Sequence, residues 1–255
     1  MLEIQNLSAG YPGHPVLQNV SLSIPAGKVT VIAGPNGCGK STLLKALAGI
    51  LPHSGTVSLD SRELSCLPSR ELAQTMAFLP QNRPVPEITA ERLVLHGRFP
   101  YLRYPRRYRE EDRQIAREAM ARMGISHLAQ RNLPTLSGGQ RQKVYIAMAL
   151  AQNTPVILLD EPTAFLDISH QLQLMHHIRQ LAAEGKTVVA VLHDLTMALE
   201  QADHLILMEN GTITTHGTPE AVFQTGLLSQ TFQIPIRRTQ TPDGWKYYYL
   251  SPEEG

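Results

Sequence analysis

The hydrophobic positions of this chain follow two different patterns. Residues 2–7 and 16–24 alternate between apolar and polar side chains, which predicts strands with one buried face. Segments 29–33, 156–161 and 188–192 are almost continuously apolar, and such runs are typical of parallel strands that are buried on both faces. We therefore predict an α/β fold with a mostly parallel sheet and an antiparallel β layer formed by the N-terminal segments.

A helical pattern interrupts this α/β sequence. Segments 89–95 and 110–120 carry acidic residues in their first turns, which favours helix starts. Ser137 is a natural N-cap for a longer helical pattern that follows it. Towards the C-terminus, residues 234–250 predict a strand, a turn over 241–244 and a second strand.

Composition fits a compact protein of one or two domains. The chain has 255 residues, of which 42% are hydrophobic, and this is enough for a sizeable core. We predict a single domain, whose parts are an α/β core with its antiparallel layer at 1–88 and 154–225, a helical insertion at 89–153, and a β-hairpin tail at 226–255.

Charge and cysteine content argue against several classes of protein. The formal net charge is +1, so the overall charge gives no reason to expect a nucleic-acid partner. The first residues lack the basic start and apolar centre of a signal peptide. The sequence also has no stretch of about 18 apolar residues, the length that a membrane-spanning helix needs. The chain has two cysteines, Cys38 and Cys66, and a reducing compartment suits them.

The sequence GPNGCGKST contains the most specific chemical pattern in the chain. It matches the phosphate-loop pattern G-x-x-x-x-G-K-[ST], follows the predicted strand 29–33 and precedes a predicted helix over 43–48. Glycines let the backbone turn its N–H groups toward a phosphate chain, and the helix start adds its positive dipole end. We predict that the nucleotide-binding residues are Gly34, Pro35, Asn36, Gly37, Cys38, Gly39, Lys40, Ser41 and Thr42.

Two of these side chains have a predictable role toward a nucleoside triphosphate. Lys40 places a positive charge on the β- and γ-phosphates. The Ser41 hydroxyl can coordinate Mg²⁺. A glycine-rich turn that binds nothing is the alternative, but both the spacing and the flanking elements favour a binding loop.

Other polar side chains follow predicted strands or begin a predicted helix. Asp160 and Glu161 end the strand 156–161, where Asp160 suits Mg²⁺ held through water and Glu161 suits a base; a simple helix cap is the alternative. His193 follows the strand 188–192 and is placed to contact phosphate, although a lone histidine is usually structural. A second anion-binding helix start is formed by Ser137, Gly138, Gly139 and Gln140.

Several aromatic, basic and histidine residues leave alternatives open. Tyr11, in a predicted turn over 9–13, could stack on a planar base or cover the sheet edge. Basic and aromatic residues alternate over 98–109, which fits nucleic acid, a solvated face or a protein contact, and the net charge disfavours nucleic acid. His170, His176 and His177 suggest either a metal site or, for want of a carboxylate or cysteine at ligand spacing, a solvated helix face. The aromatic residues over 245–249 are predicted to pack on the core or on a dimer mate.

Taken together, the phosphate loop and the segments LSGGQ and VILLDEP resemble the ATP-binding subunit of an ATP-binding-cassette (ABC) transporter. The resemblance covers roughly residues 1–225, and LSGGQ is the signature of that family. It implies a P-loop NTPase core of RecA-like type with a mostly parallel sheet, an N-terminal antiparallel β subdomain and an inserted helical subdomain.

The resemblance also implies roles for individual residues. Tyr11 would stack on adenine, and residues 137–140 would close on the ATP of the opposite subunit, together with the D-loop acid Asp167. The implied catalytic residues are the base Glu161, the switch histidine His193, the Q-loop residue Gln81 and Lys40. The implied Mg²⁺ ligands are Ser41, Gln81 and the Walker B acid Asp160.

In that family two ATPase subunits face each other head to tail with two ATP molecules at their interface. The expected cofactors are therefore ATP and Mg²⁺. The expected partners are a second copy of this chain, separate membrane permease subunits and, indirectly, a periplasmic or surface substrate-binding protein, with no nucleic acid. The expected location is the cytoplasmic face of the plasma membrane, as a peripheral subunit.

A narrower similarity concerns the cargo. The segment HGRFPY at 96–101 is similar to the GR-[YF]-P segment of importers of iron–siderophore complexes, haem and cobalamin, and segments 164–171 and 192–195 resemble the same branch. This implies ATP-driven uptake of a metal chelate, with a ferric siderophore as the favoured cargo. The alternatives are haem, cobalamin or another cargo, an exporter subunit, and a soluble cassette ATPase of translation or DNA repair.

Overall fold

The computed structural model describes residues 1–242 and 244–250. Asp243, which belongs to the predicted turn of the tail, and residues 251–255 lie outside the described residues. Within the described part of the chain, no helix is both long and apolar enough to cross a membrane.

Strands and helices alternate along most of the chain. The strands are β1 Leu2–Tyr11, β2 His14–Ile24, β3 Val29–Ala33, β4 His53–Leu59, β5 Arg62–Glu63, β6 Met76–Leu79, β7 Val156–Asp160, β8 Thr187–Val191, β9 His204–Glu209, β10 Thr212–Gly217, β11 Ile236–Thr241 and β12 Gly244–Tyr249. The α-helices are α1 Lys40–Leu47, α2 Ser69–Thr75, α3 Ala90–His96, α4 Glu110–Arg122, α5 Gly138–Ala151, α6 Ile168–Ala183, α7 Leu195–Gln201, α8 Pro219–Gln224 and α9 Leu227–Phe232. Short 3₁₀ turns occupy Phe99–Tyr101, Ser126–Leu128 and Leu133–Thr135.

The central sheet is six-stranded, with the order β10-β9-β3-β8-β7-β6, and the predicted α/β fold is confirmed. All of its neighbouring strands pair in parallel except β10, which runs antiparallel to β9. Every residue of β3, β7 and β8 is buried, which explains why their sequences are almost continuously apolar. Because parallel strands end at the same edge, the segments that follow β3, β6, β7 and β8 converge there.

Two hydrophobic clusters cover opposite faces of this sheet. Val188 and Ala190 of β8 pack into a cluster with α4, α5 and α6, whereas Val189 and Val191 pack into a second cluster with α1 and the antiparallel strands. Those strands form the predicted N-terminal layer, a four-stranded sheet with the order β2-β1-β4-β5. Because successive side chains of a strand point to opposite faces of the sheet, β8 contributes residues to both hydrophobic clusters.

The predicted turn over 9–13 is wrong for its first three residues, because β1 continues through Tyr11. Gly10 lies inside β1, and the backbone of the neighbouring strand β2 approaches it very closely. A Cβ atom at this position would lie 2.4 Å from the carbonyl oxygen of His14. The glycine therefore permits close strand pairing here, and the turn itself comes at Pro12 and Gly13.

Arg98 begins the basic and aromatic stretch over 98–109, for which nucleic acid, a solvated face and a protein contact were the alternatives, and its burial fits none of the three. Its side chain is buried, its Nε donates to Asp112 Oδ1 at 3.1 Å, and its Nη1 donates to the carbonyl oxygen of Ala151 at 3.0 Å. The guanidinium also lies 3.9 Å from the ring centre of Tyr101. Arg98 therefore joins α4 to the end of α5, while Arg103, Arg106 and Arg107 remain exposed.

The C-terminal hairpin, β11 and β12, packs on the core through one of its predicted aromatic residues, whereas Trp245, Tyr248 and Tyr249 are exposed. The Tyr247 ring is buried, with its centre 5.3 Å from that of Phe223 on α8, and Lys246 pairs with Glu200 on α7. The guanidinium of Arg238 lies 3.9 Å from the Trp245 ring centre. The tail is not a hairpin alone, since α9 precedes β11.

The buried Arg98–Asp112 pair generates a stability prediction. Arg98→Ala leaves an unpaired carboxylate inside the helical insertion, so we expect the free energy of unfolding to fall by about 3–5 kcal/mol. Urea denaturation measures the change. Arg113→Ala, an exposed position on α4, is the matched control and should change stability by less than about 0.5 kcal/mol. Similar losses for both variants would contradict the structural role of the pair.

Candidate functional site

The phosphate loop between β3 and α1 requires glycine for two different reasons. Gly34, Gly37 and Gly39 all have positive φ angles, of 153°, 81° and 107°. A Cβ atom at Gly34 would also lie 2.2 Å from the carbonyl oxygen of Met208, so this position excludes every larger residue. Nothing lies within 4 Å of a Cβ atom at Gly37, where only the backbone angle matters. The loop is therefore held curved against β9 and opens directly into α1.

Lys40 is the first residue of α1, and its buried side chain points back into this loop. Its Nζ donates to the carbonyl oxygens of Gly34 and Pro35, both at 2.8 Å, and contacts the Cys38 sulfur at 3.9 Å. The ammonium group is thus held inside the curve of the loop, a position that suits an interaction with phosphate. Burial raises the pKa of the Cys38 thiol, and the neighbouring Lys40 charge opposes this only in part. Cys38 is therefore a neutral packing residue of the loop.

Asp160 lies at the end of β7 and is buried beside the loop. Its Oδ1 accepts a hydrogen bond from the Ser41 hydroxyl at 2.9 Å. Burial raises the pKa of Asp160, the nearby charge of Glu161 raises it further, and Ser41 together with two lysines lowers it. A hydroxyl oxygen and a carboxylate oxygen in contact are the oxygen donors that Mg²⁺ prefers, so these residues fit that ion.

Glu161 brings three predicted site residues together. It is buried, and its backbone adopts a left-handed conformation with φ of 53° directly after β7. One carboxylate oxygen accepts a hydrogen bond from the Gln81 side-chain amide, and the other lies 2.7 Å from His193 Nε2. The three side chains come from the ends of β6, β7 and β8, which are neighbours in the central sheet. A carboxylate, a side-chain amide and an imidazole therefore meet at one point of the sheet edge.

These groups face one open pocket of about 470 Å³. Its walls are formed by Val16, Asn36, Gly37, Gly39, Lys40, Ser41, Thr42, Gln81, Glu161 and His193. Nine of these ten residues were predicted from the sequence. Val16 was missed, because in the sequence it is only one apolar residue of an alternating strand. The pocket combines a glycine-rich loop and a buried ammonium group, which suit a phosphate chain, with a carboxylate, which suits a proton acceptor.

Tyr11 lies at the end of β1 and is 43% exposed. Its hydroxyl accepts a hydrogen bond from Lys45 Nζ at 3.2 Å, and the same ammonium lies 5.8 Å from the ring centre. Because Lys45 belongs to α1, the ring is fixed relative to the helix that begins at the phosphate loop. An exposed aromatic face in this position can take a planar base.

The second predicted anion site lies elsewhere on the chain. Ser137 Oγ accepts from the Gln140 N–H at 3.2 Å, and Gln140 Oε1 accepts from the Ser137 N–H at 3.0 Å, so the two residues form a capping box at the start of α5. This helix start borders a separate cavity of about 580 Å³. None of the residues around that cavity lines the phosphate-loop pocket. The structure therefore does not bring residues 137–140 to the phosphate loop of the same chain.

Asp167 belongs to this second region. It caps α6 by accepting the His170 N–H at 2.9 Å, and it also pairs with the His170 imidazole at 2.8 Å. These hydrogen bonds, the backbone one first, lower the pKa of Asp167. Asp167 borders the same cavity as Ser137, Gly138 and Gly139. The predicted binding residues thus form two clusters at different pockets, and a third cavity, bordered by both Gln81 and Gly138, lies between them.

Comparison with known proteins identifies relatives that are similar over most of this chain. The family model described as ABC transporter matches residues 17–164. The achromobactin transport ATP-binding protein of Dickeya dadantii is 40% identical over 93% of this chain and 90% of its own. The ferric enterobactin transport ATP-binding protein of Escherichia coli is 43% identical, over 90% of this chain and 86% of its own. The hemin import ATP-binding protein of Nocardia farcinica is 40% identical, over 94% and 84% respectively.

Solved structures show the same architecture. An inward-facing transporter described as metal-chelate type is similar with a TM-score of 0.85 at 27% identity, over 99% of this chain and 98% of the other. An ATP-binding cassette, solved as a dimer in a post-hydrolysis state with ADP and phosphate, is similar with a TM-score of 0.76 at 31% identity, over 86% of this chain and 99% of the other.

The burial of Asp160 generates a prediction about pH and stability. Because the pKa of Asp160 is raised in the folded chain, folding disfavours its ionised form. Protonated Asp160 therefore contributes its full stabilisation below the pKa of the unfolded chain. This contribution is lost as the pH rises through the pKa of the folded chain. Asp160→Asn removes the charge and keeps an oxygen for the Ser41 hydroxyl. We expect this variant to melt at the same or a higher temperature than the wild type near pH 7 without ligand, and the difference to shrink toward about pH 4.

Differential scanning fluorimetry over that pH range checks the sign. The same variant should lose the additional stabilisation that MgATP gives the wild type, because it lacks the ionised oxygen. A variant that melts well below the wild type without ligand, at about pH 7, would contradict the raised pKa.

Proposed function

We propose that this chain, which belongs to the ABC transporter family, is the ATP-hydrolysing subunit of a metal-chelate importer and that its cargo is a ferric siderophore. The contact of Glu161 with both Gln81 and His193 beside the phosphate loop carries the assignment of hydrolysis. The relatives that transport achromobactin and ferric enterobactin support the cargo. Haem is the second candidate, because the hemin import relative covers the chain equally well.

The chemistry of hydrolysis follows from the site. Glu161 orients a water molecule and accepts its proton as the water attacks the γ-phosphate in line. Lys40 and His193 stabilise the charge that develops on the phosphate oxygens. Ser41, Asp160 and Gln81 would hold Mg²⁺, which neutralises charge on the β- and γ-phosphates when it is bound. Tyr11 stacks on the adenine of the bound nucleotide.

The separation of the two clusters supports a head-to-tail dimer. One chain offers its phosphate loop, and a second copy offers residues 137–140 together with Asp167. Each ATP is then enclosed by both subunits. Each subunit contributes its phosphate loop to one site and its residues 137–140 to the other, as the two-fold symmetry of a homodimer requires. The solved dimer of a related cassette with ADP and phosphate supports this arrangement.

In this proposal the complete transporter also contains a separate membrane permease. The helical insertion over 89–153 moves with ATP binding and passes the movement to permease subunits, and a periplasmic or surface binding protein delivers the chelate to them. The chain would then sit as a peripheral subunit on the cytoplasmic face of the plasma membrane. Two exposed residues within the insertion, Phe99 and Tyr104, suit a protein contact because each exposes a large apolar surface.

Glu161→Gln tests the assignment of the base. It removes the proton acceptor, and the amide retains the size of the side chain. We expect ATP hydrolysis to fall by about 100-fold or more, since general base catalysis contributes at least that factor, while ATP binding is retained. Steady-state phosphate release and equilibrium binding measure the two effects. Glu63→Gln, an exposed glutamate on β5, is the matched control and should keep wild-type turnover.

Uptake by cells tests the cargo. Cells that carry either the wild type or Glu161→Gln as the only copy are given labelled ferric siderophores, haem and cobalamin. We expect the variant to abolish uptake of a ferric siderophore alone. Loss of haem uptake alone would replace the cargo, and unchanged uptake of all three would contradict metal-chelate import.

A further inference from the structure

Arg83 lies two residues after Gln81 and turns toward helix α5 instead of the solvent. Its Nη2 donates to Gln142 Oε1 at 2.6 Å, and its guanidinium carbon lies 4.5 Å from the ring centre of Tyr145. The Tyr145 hydroxyl in turn donates to the carbonyl oxygen of Pro84. The segment that carries Gln81 is therefore attached to α5 by two side chains of that helix.

Gln142 continues the chain of contacts to the strand that carries the proposed base. Its side chain is buried, and its Nε2 donates to the carbonyl oxygen of Pro162 at 2.6 Å. Pro162 directly follows Glu161. A guanidinium has only donors and a carbonyl has only acceptors, so the Gln142 amide fits in a single orientation. The amide thus works as a bridge between Arg83 and the backbone next to Glu161.

The bridge holds a charged group at an unfavourable place. Burial lowers the pKa of the Arg83 guanidinium, and among the described residues Nη1 of Arg83 is buried without a hydrogen-bond partner. Leaving a buried donor unpaired is costly and is rare in native proteins unless the group has another purpose. A merely structural contact between a loop and a helix would not need an arginine here.

Glu161 is consequently reached from α5 by two routes. One passes through Arg83 and the backbone to Gln81, whose amide donates to the Glu161 carboxylate. The other passes through Gln142 to Pro162. Since α5 begins at the LSGGQ segment, both routes connect that segment with the proposed base.

We propose that Arg83 is a positioning residue, which couples the position of α5 to the geometry of the Gln81–Glu161 pair through Gln142. The inference rests on the proposed ATPase function. When α5 moves, the Arg83–Gln142 bridge moves the Gln81 segment and the Pro162 peptide together. The carboxylate then keeps its alignment with the attacking water only while the bridge is intact.

Arg83→Met keeps the length and the apolar stem of the side chain and removes the guanidinium. We expect kcat for ATP hydrolysis to fall about tenfold to a hundredfold, as a displacement near 1 Å would cause, while KM for ATP changes by less than about twofold. Steady-state hydrolysis in the assembled complex with the permease measures both. Arg179→Met, at an exposed position on α6 and outside the helical insertion, is the matched control and should leave both parameters unchanged.

Gln142→Glu separates positioning from simple stabilisation. A carboxylate binds Arg83 more strongly than an amide does but has no N–H for the Pro162 carbonyl. If the bridge positions Glu161, this variant loses kcat even at temperatures where its melting curve shows that it is fully folded. If the contact only stabilises the fold, kcat stays at the wild-type value.

Two outcomes would overturn the inference. One is a wild-type kcat for Arg83→Met, and the other is a wild-type kcat for Gln142→Glu. Glu161→Gln in the same assay keeps the two proposals apart: if it abolishes hydrolysis while Arg83→Met does not, only the positioning role fails. If Arg83→Met does not fold, Arg83→Lys is measured in its place. Lysine keeps the positive charge but has a single ammonium group instead of the planar guanidinium.

Discussion

Three neighbouring parallel strands, β6, β7 and β8, end at one edge of the central sheet, and Gln81, Glu161 and His193 meet there as a result. Strand β3, on the other side of β8, delivers the phosphate loop to the same edge. The site therefore depends on the register of buried strands whose side chains are apolar on both faces. Such a sheet tolerates little displacement, because its interior is close-packed between two hydrophobic clusters.

The same edge explains why the charged groups of the site are tolerated in a buried position. Asp160 is held by the Ser41 hydroxyl, Glu161 by Gln81 and His193, and Lys40 by the loop carbonyls. Each charge has a hydrogen-bond partner that a bound nucleotide or metal ion could replace. The charged groups are therefore paired with one another in this arrangement and are also available to a ligand.

Much of the fold was predictable, because it depends on local patterns. Strand β3 has the predicted bounds 29–33, and Ser137 caps α5 as its sequence indicates. The burial of Arg98 was not predictable, since its partners Asp112 and Ala151 lie 14 and 53 residues away. Arg83 was missed for the same reason: in the sequence it follows a polar segment, and only the packing against Tyr145 and Gln142 shows its role. Long-range contacts of polar side chains leave no periodic pattern in a sequence.

The most direct measurement of the proposed two-chain site mixes two inactive variants. Glu161→Gln impairs the phosphate-loop side of a chain, and Gly139→Arg impairs only its LSGGQ side. In a head-to-tail dimer, each mixed pair contains one site with both changes and one without either, so an equimolar mixture should regain about a quarter of the wild-type ATPase rate. If both clusters act within one chain, mixing restores nothing, and a rate equal to the average of the separate variants would contradict the account.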